Sequence, residues 1–466
     1  MQTRSAASRG AAGFAALPDD LVLAVLEALP LADRCGSAAL VCGRFHALAT
    51  HPSLLHAIEL TLWENEWSGP AAEKRLAARL DSLCTFLVRH AVPHLRRLVL
   101  RVEPPHGTMP WEATCAALKT LLFRLAAHCS AYGGVLEELS ITGHNLVLPL
   151  VGGCFAPLAT LKSLKYDMGE DAEHFAADFV APKLAALTGL QELWVTGREQ
   201  QLSDGTVFPP AVTRLHLGCY DYYGLPASLS SLKRLQYFSV AYCPLEEEDL
   251  EPLALCPALT QLTLESCMHI PASLSQLTQL RVLRVEGTPE YEQEYPESRQ
   301  ALLGALCHRM EWVGGVPAEV GSLPQLANFC WRHGSSEELQ DLQLPAGAWL
   351  ASLRQLALPL DMAAASLQRL TAARQLECLV IQPYHPHWQG KPTQEEVRQR
   401  QLHQAAVLAW AVQHPRLSRL GLDDEEPEAV YDWRAALALA RWPGRPPLAM
   451  VRSHQVFREL GCTPSI

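Results

Sequence analysis

One phrase constrains this chain more than any other. LPASLSSLKRL (225–235) returns as IPASLSQLTQL (270–280) and again as VPAEVGSLPQL (316–326), at offsets of 45 and 46 residues. The first copy runs on into a complete unit, residues 225–245, LPASLSSLKRLQYFSVAYCPL. Its apolar positions are Leu235, Phe238, Val240, Cys243 and Leu245, spaced as LxxLxLxxCxL. From Val212 through Leu235 and Leu259 to Leu280 the steps are 23, 24 and 21 residues. A unit this short buries nothing by itself. Copies must stack, each closing its neighbour's apolar side.

The core triple LxxLxL starts at Leu55, Leu95, Leu136, Leu161, Leu190, Val212, Leu235, Leu259, Leu280, Cys307, Leu326, Leu353, Leu376 and Leu417. Cys307-Met310-Trp312 is the most divergent of these triples and is placed by the register of the clearer repeats. Steps near 40 residues after Leu55, Leu95 and Leu376 predict insertions: a helix over 112–129, and a loop entering a helix over 383–400. Residues 288–299 read as an acidic surface loop. The pattern resembles the leucine-rich repeat. That resemblance implies an α/β fold, a curved solenoid over residues 55–428 with a parallel β-sheet on its concave face and helices and loops on its convex face. Residues 429–466, with Trp433 and Trp442, read as a C-terminal cap and tail.

Charge and cysteine usage narrow the surroundings. The net charge of −11 and the lack of any Lys/Arg run argue against nucleic acid as a partner. The fourteen cysteines contain no CxxC pair and read as reduced thiols. No apolar run reaches the roughly 18–20 residues that span a bilayer, and no secretory apolar segment opens the sequence. The expected compartment is cytoplasmic and/or nuclear, with cytoskeleton or cilium as the alternative. Residues 1–13, basic and small, read as a disordered tail.

Residues 14–54 follow a helical period instead. Asp19 or Asp20 is placed to cap a helix carrying Leu21, Val25, Leu26 and Leu29 on one apolar face, stopped by Pro30. Asp33 is placed to cap a second helix carrying Leu40, Val41, Phe45 and Leu48. About 40 residues of helix bury too little to stand alone, so the unit reads as a docking module. Leu17-Pro18-Asp19, Leu21, Val25-Leu26, Leu29-Pro30-Leu31, Asp33, Val41-Cys42, Arg44-Phe45 and Leu48 resemble the F-box in order, with Phe45 where that family usually has Trp. The resemblance implies a Skp-type adaptor bound through Leu17, Pro18, Leu21, Val25, Leu26, Leu29, Val41 and Phe45, and through it a cullin ligase core.

The strand residues between the buried leucines face outward. They are richest midway along the array: Trp194, Arg214, His216, Tyr237, Tyr242, Glu265, Arg284 and Glu286, beside the aromatic stretch Tyr220-Asp221-Tyr222-Tyr223. Aromatic and Arg side chains grouped in this way are the usual chemistry of a protein interface. No phosphate loop, GxSxG or HExxH occurs. His385 and His387 are only two potential metal ligands, too few for a site. No enzyme activity and no cofactor or metal is expected. The sequence reads as a non-catalytic substrate receptor of a cullin-based ubiquitin ligase. Two other readings stay open: a repeat scaffold, cytoskeletal or ciliary, and a small-molecule co-receptor using Arg97, Arg101, Lys165, Arg214 and Arg284.

Overall fold

The repeat spacing sets the strand positions directly. In the computed structural model each of the fourteen core triples leads, two residues after its start, into a strand. The structure describes residues 17–63, 70–103, 112–143, 157–167, 181–196, 207–218, 225–241, 247–265, 276–277, 279–286, 309–313, 320–321, 323–332, 343–382, 394–422 and 448–452. The chain divides into two units. The first is Met1–Ser203 with Val207–Ala211, and the second is Asp204–Thr206 with Val212–Ile466.

The first unit begins with short helices: α1 (Asp19–Glu27), α2 (Leu31–Gly36), a 3-10 turn (Ala38–Leu40), α3 (Gly43–Ala49) and α4 (Pro52–Leu55). Strands β1 (Ala57–Trp63), β2 (Arg97–Glu103), β3 (Glu138–Gly143), β4 (Ser163–Asp167) and β5 (Glu192–Thr196) come next. They pair in parallel and in chain order. The long steps hold helices α5 (Pro70–Phe86) and α6 (Glu112–Tyr132), which pack on each other. Helix α6 covers the inserted helix read at 112–129. It stops at Gly133, whose φ of 68° is the left-handed conformation that glycine adopts without a Cβ clash.

The second unit holds β6 (Arg214–Gly218), β7 (Tyr237–Ala241), β8 (Gln261–Glu265), β9 (Val282–Glu286), β10 (Arg309–Val313), β11 (Asn328–Arg332), β12 (Gln355–Pro359), β13 (Cys378–Gln382), β14 (Arg419–Leu422) and β15 (Ala449–Arg452). These too are parallel and sequential. Its helices are α7 (Glu247–Ala254), α8 (Trp349–Ser352), α9 (Leu360–Leu370) and α10 (Gln394–Gln413). Helix α10 is the one expected after the loop at 383. Strand β10 belongs to the Cys307 triple, so that divergent repeat keeps the register. Strand β15 lies in the stretch read from sequence as a cap. Its repeat starts on Pro447 rather than a leucine, which hides it from the LxxLxL pattern.

In-register parallel pairing puts like positions side by side, so leucines form columns. Leu98, Leu139, Leu164 and Leu193 align in the first unit, and Leu215, Phe238, Leu262 and Leu283 in the second. All eight are buried. At about 1.5–3 kcal/mol per fully buried side chain, these columns are the main stabilisers of the stack. A hydrogen-bond motif links the turns. The carbonyl just after a starting leucine recurrently accepts two N–H groups from the next repeat, as Glu137 O does from Lys162 (2.7 Å) and Ser163 (3.0 Å). Arg96, Gln236, Thr260 and Arg354 repeat it.

Candidate functional site

The first candidate surface lies on the helical module. Helix α1 has Pro18 at its N-cap, and the Pro18 carbonyl accepts N–H groups from Leu21 (3.1 Å) and Val22 (3.2 Å). Neither acid caps it through its side chain, contrary to the expectation for Asp19 or Asp20. Both sit in the first turn, where negative charge favours the helix dipole. The Asp19 carboxylate is instead drawn off by Arg44 Nε at 2.8 Å. The expected second helix is broken into α2, the 3-10 turn and α3. Helix α2 starts at Leu31 behind Pro30, so Asp33 lies inside it and not at its cap.

Residues i and i+4 share a helix face, and α1 uses this twice. Val22 and Leu26, 0% and 1% exposed, close a small core with Ala39, Leu48, Ala49 and Leu54. Leu21 and Val25 lie on a different face and are 53% and 43% exposed. The spacing in sequence puts Leu21, Val25 and Leu26 on one face. The structure corrects this: Leu26 is a core residue, with no surface to offer an adaptor. Leu17, Leu29 and Phe45 are partly buried against the same core, and Pro18 is exposed. Val41 is 69% exposed, and Leu40 beside it, absent from the predicted contacts, is 78% exposed. Their neighbourhood in the sequence, AALVC, carries that signal. Four large apolar side chains left in water on so small a module make its surface a candidate for docking.

The second candidate surface is the outward strand positions. In the first unit Trp194 on β5 is half-buried, and the Lys165 ammonium from β4 stands 4.9 Å from its ring centroid. A cation over an indole contributes roughly 0.5–1 kcal/mol at such a site. Polar side chains also pair from strand to strand along this unit: Arg97 with Glu138 (2.9 Å) across β2 and β3, Arg101 with Glu59 (3.1 Å) across β1 and β2, and the Ser163 hydroxyl donating to Glu192 (3.0 Å) across β4 and β5. The Glu137 carboxyl is held below its usual range by the hydrogen bond and charge of Lys162.

In the second unit the Arg214 guanidinium lies 5.1 Å from the Tyr237 ring, with Arg214 exposed and Tyr237 half-buried. Arg284 on β9 is half-buried. His216 differs from its expectation. It is only 7% exposed, in one row with buried Ser239 and Thr263, because a strand-centre position in a continuous sheet is shadowed by its neighbours. Glu265 and Glu286 end β8 and β9, but their side chains are not described, and Tyr242 lies outside the described residues. So do Tyr220–Tyr223, residues 1–13 and 288–299, His385, His387, Trp433 and Trp442. Among the described residues no three His, Cys, Asp or Glu side chains are grouped to hold a metal, and no helix is long and apolar enough to cross a membrane.

Among comparisons with known proteins, one bears on the helical module. Residues 14–61 match the model of the F-box-like family. No curated protein matches the chain at a significant level. Among solved structures, an internalin from Listeria monocytogenes is 14% identical with a TM-score of 0.37, covering 90% of this chain and 97% of its own. A leucine-rich-repeat protein from Leptospira interrogans is 15% identical with a TM-score of 0.39, covering 84% and 96%. At those scores the likeness adds nothing to what the strand register already shows. The chain carries an F-box-like domain followed by leucine-rich repeats, an architecture of protein interaction.

Proposed function

We propose that this protein is a non-catalytic substrate receptor of a cullin-based ubiquitin ligase. The helical module docks a Skp-type adaptor, and the outward face of the repeats holds a protein substrate. Catalysis then belongs to partner subunits, and this chain contributes placement and effective concentration. The observation that carries the reading is the exposure of Leu21, Val25, Leu40 and Val41 on a module whose core is already closed by Val22 and Leu26. Those four side chains are available for a partner without any unfolding. The F-box-like match over residues 14–61 supports an adaptor as that partner. Adaptor contacts are therefore assigned to Leu21, Val25 and Val41 from the predicted set, with Leu40 added and Leu17, Pro18, Leu29 and Phe45 at the margin. Substrate contacts are assigned to Trp194 with Lys165 in the first unit, and to Arg214, Tyr237 and Arg284 in the second.

The test is binding of purified adaptor to the full chain, measured by calorimetry. Wild type binds, and Leu21→Asp with Val25→Asp does not, while both proteins melt alike. A wild-type chain that ignores the adaptor would sink the ligase assignment.

A further inference from the structure

Among the described residues, Arg34 is the one charged side chain buried in the helical module, 8% exposed. It sits in α2, and its guanidinium reaches two backbone carbonyls. Nη1 donates to Leu54 O at 2.9 Å and Nη2 donates to Leu29 O at 3.2 Å. Leu29 lies in the turn between α1 and α2, and Leu54 in the single turn of α4. The Leu54 carbonyl is a helix C-terminal one, without a partner inside its helix and with partial negative charge, so the cation satisfies and neutralises it. Nε is buried and makes no hydrogen bond. A buried cation is costly to desolvate, and one held only by neutral carbonyls is a poor way to gain stability. A leucine would fill the site at lower cost. A leucine could not tie the turn after α1 to α4.

What these two points connect gives Arg34 its meaning. Helix α1 carries Leu21 and Val25. Helix α4 runs into β1 with only His56 between them. The His56 carbonyl in turn accepts the N–H groups of Arg96 (2.8 Å) and Arg97 (3.0 Å) at the entry to β2. One short path of hydrogen bonds and backbone therefore runs from the turn after α1, through Arg34 and the end of α4, to the second repeat.

We propose that Arg34 is a positioning residue that fixes the docking face of α1 at a set distance and angle from the first repeats. Its consequence for ligation rests on the ligase reading; the geometry itself does not. A receptor that contributes only placement needs a stiff joint between the surface that binds the machinery and the surface that binds the target.

The experiment places spin labels, through an unnatural amino acid, at exposed Ala24 on α1 and exposed Ala159 before β4 in the full chain. Distance distributions are read by double electron–electron resonance for wild type, Arg34→Met and Arg34→Lys. Arg34→Met keeps the volume without the bonds. Arg34→Lys keeps the charge but replaces the two-pronged fork with a single ammonium. The expected result is a narrow distribution in wild type and a broadened one in both variants, with adaptor affinity changed by less than about threefold, as for a residue outside the contact surface. Should Arg34→Met lose amide protection in α1, Arg34→Lys decides the matter. Distributions as narrow as wild type in the folded variants would reduce Arg34 to a local filler. Failure of wild type to bind adaptor, with the broadening still seen, would remove the ligase reading and leave the joint standing.

Discussion

The helical module and the repeats use the same amino acid in opposite ways. In the repeats the leucines of the core triples are directed inward at fixed spacing, and columns such as Leu215, Phe238, Leu262 and Leu283 are closed to water, while Leu255 and Leu402, outside the triples, are exposed. In the module, leucine and valine are divided between the two sides of α1, two closing a core and two left in water. A stack of repeats needs its apolar residues for itself, since each turn is stable only through its neighbours. The module has a small core and carries more apolar surface than that core can take up. The difference separates a part that spends its apolar residues on holding shape from a part that leaves some of them in water, as the proposed docking role requires.

Injuring each part in turn puts this division to its hardest test. Phe238→Ala removes a ring from the middle of a column, and should cost about 3–5 kcal/mol in chemical denaturation. A cost below about 1 kcal/mol would mean that the repeats are not a tightly coupled core. The double change Leu21→Asp with Val25→Asp should weaken adaptor binding at least about 100-fold, near 2.7 kcal/mol, and leave the melting temperature in place. A large drop in melting temperature would mean that these side chains belong to the core after all.

Smaller effects refine the contrast. Cys42 in the module is exposed, whereas burial pushes the thiol of Cys129 on α6 up to about 11. A raised thiol pKa keeps the group protonated until the pH approaches that value. At pH 8 only about one Cys129 in a thousand is thiolate, so iodoacetamide should modify Cys42 and spare Cys129 in a peptide-resolved time course. Rapid labelling of Cys129 would show that the repeat containing α6 opens readily. Trp194→Ala should weaken capture of a substrate protein while changing stability by about 1 kcal/mol or less, the scale of its contact with Lys165. A larger loss of stability would make Trp194 a core residue. Least of all, a double-mutant cycle on exposed Arg97 and Glu138 should return about 0.2–1 kcal/mol, fading in high salt.

Strand positions are legible from the amino-acid sequence without any structure. A leucine followed by others three and five residues on, and repeats 21 to 24 residues apart in the central stretch, are local patterns that do not depend on what packs where. Even Cys307-Met310-Trp312 is found that way. The repeat before β15 is not, because Pro447 stands where the pattern asks for leucine. Which side of α1 faces the core is settled only by tertiary packing. On a helix of nine residues with apolar groups nearly all round, the division between Leu26 and Leu21 is made by Leu48 and Leu54, which return from elsewhere in the chain. Packing likewise covers His216 while leaving Trp194 half open, since the exposure of a strand residue depends on the strands beside it. The contacts of Arg34 with Leu54 and of Lys165 with Trp194 join residues 20 and 29 apart in sequence. Lys165 and Trp194 hold the same position in successive repeats, so the register pairs them; nothing periodic encodes the Arg34 contact, which exists because folding brings separate segments within reach of one side chain.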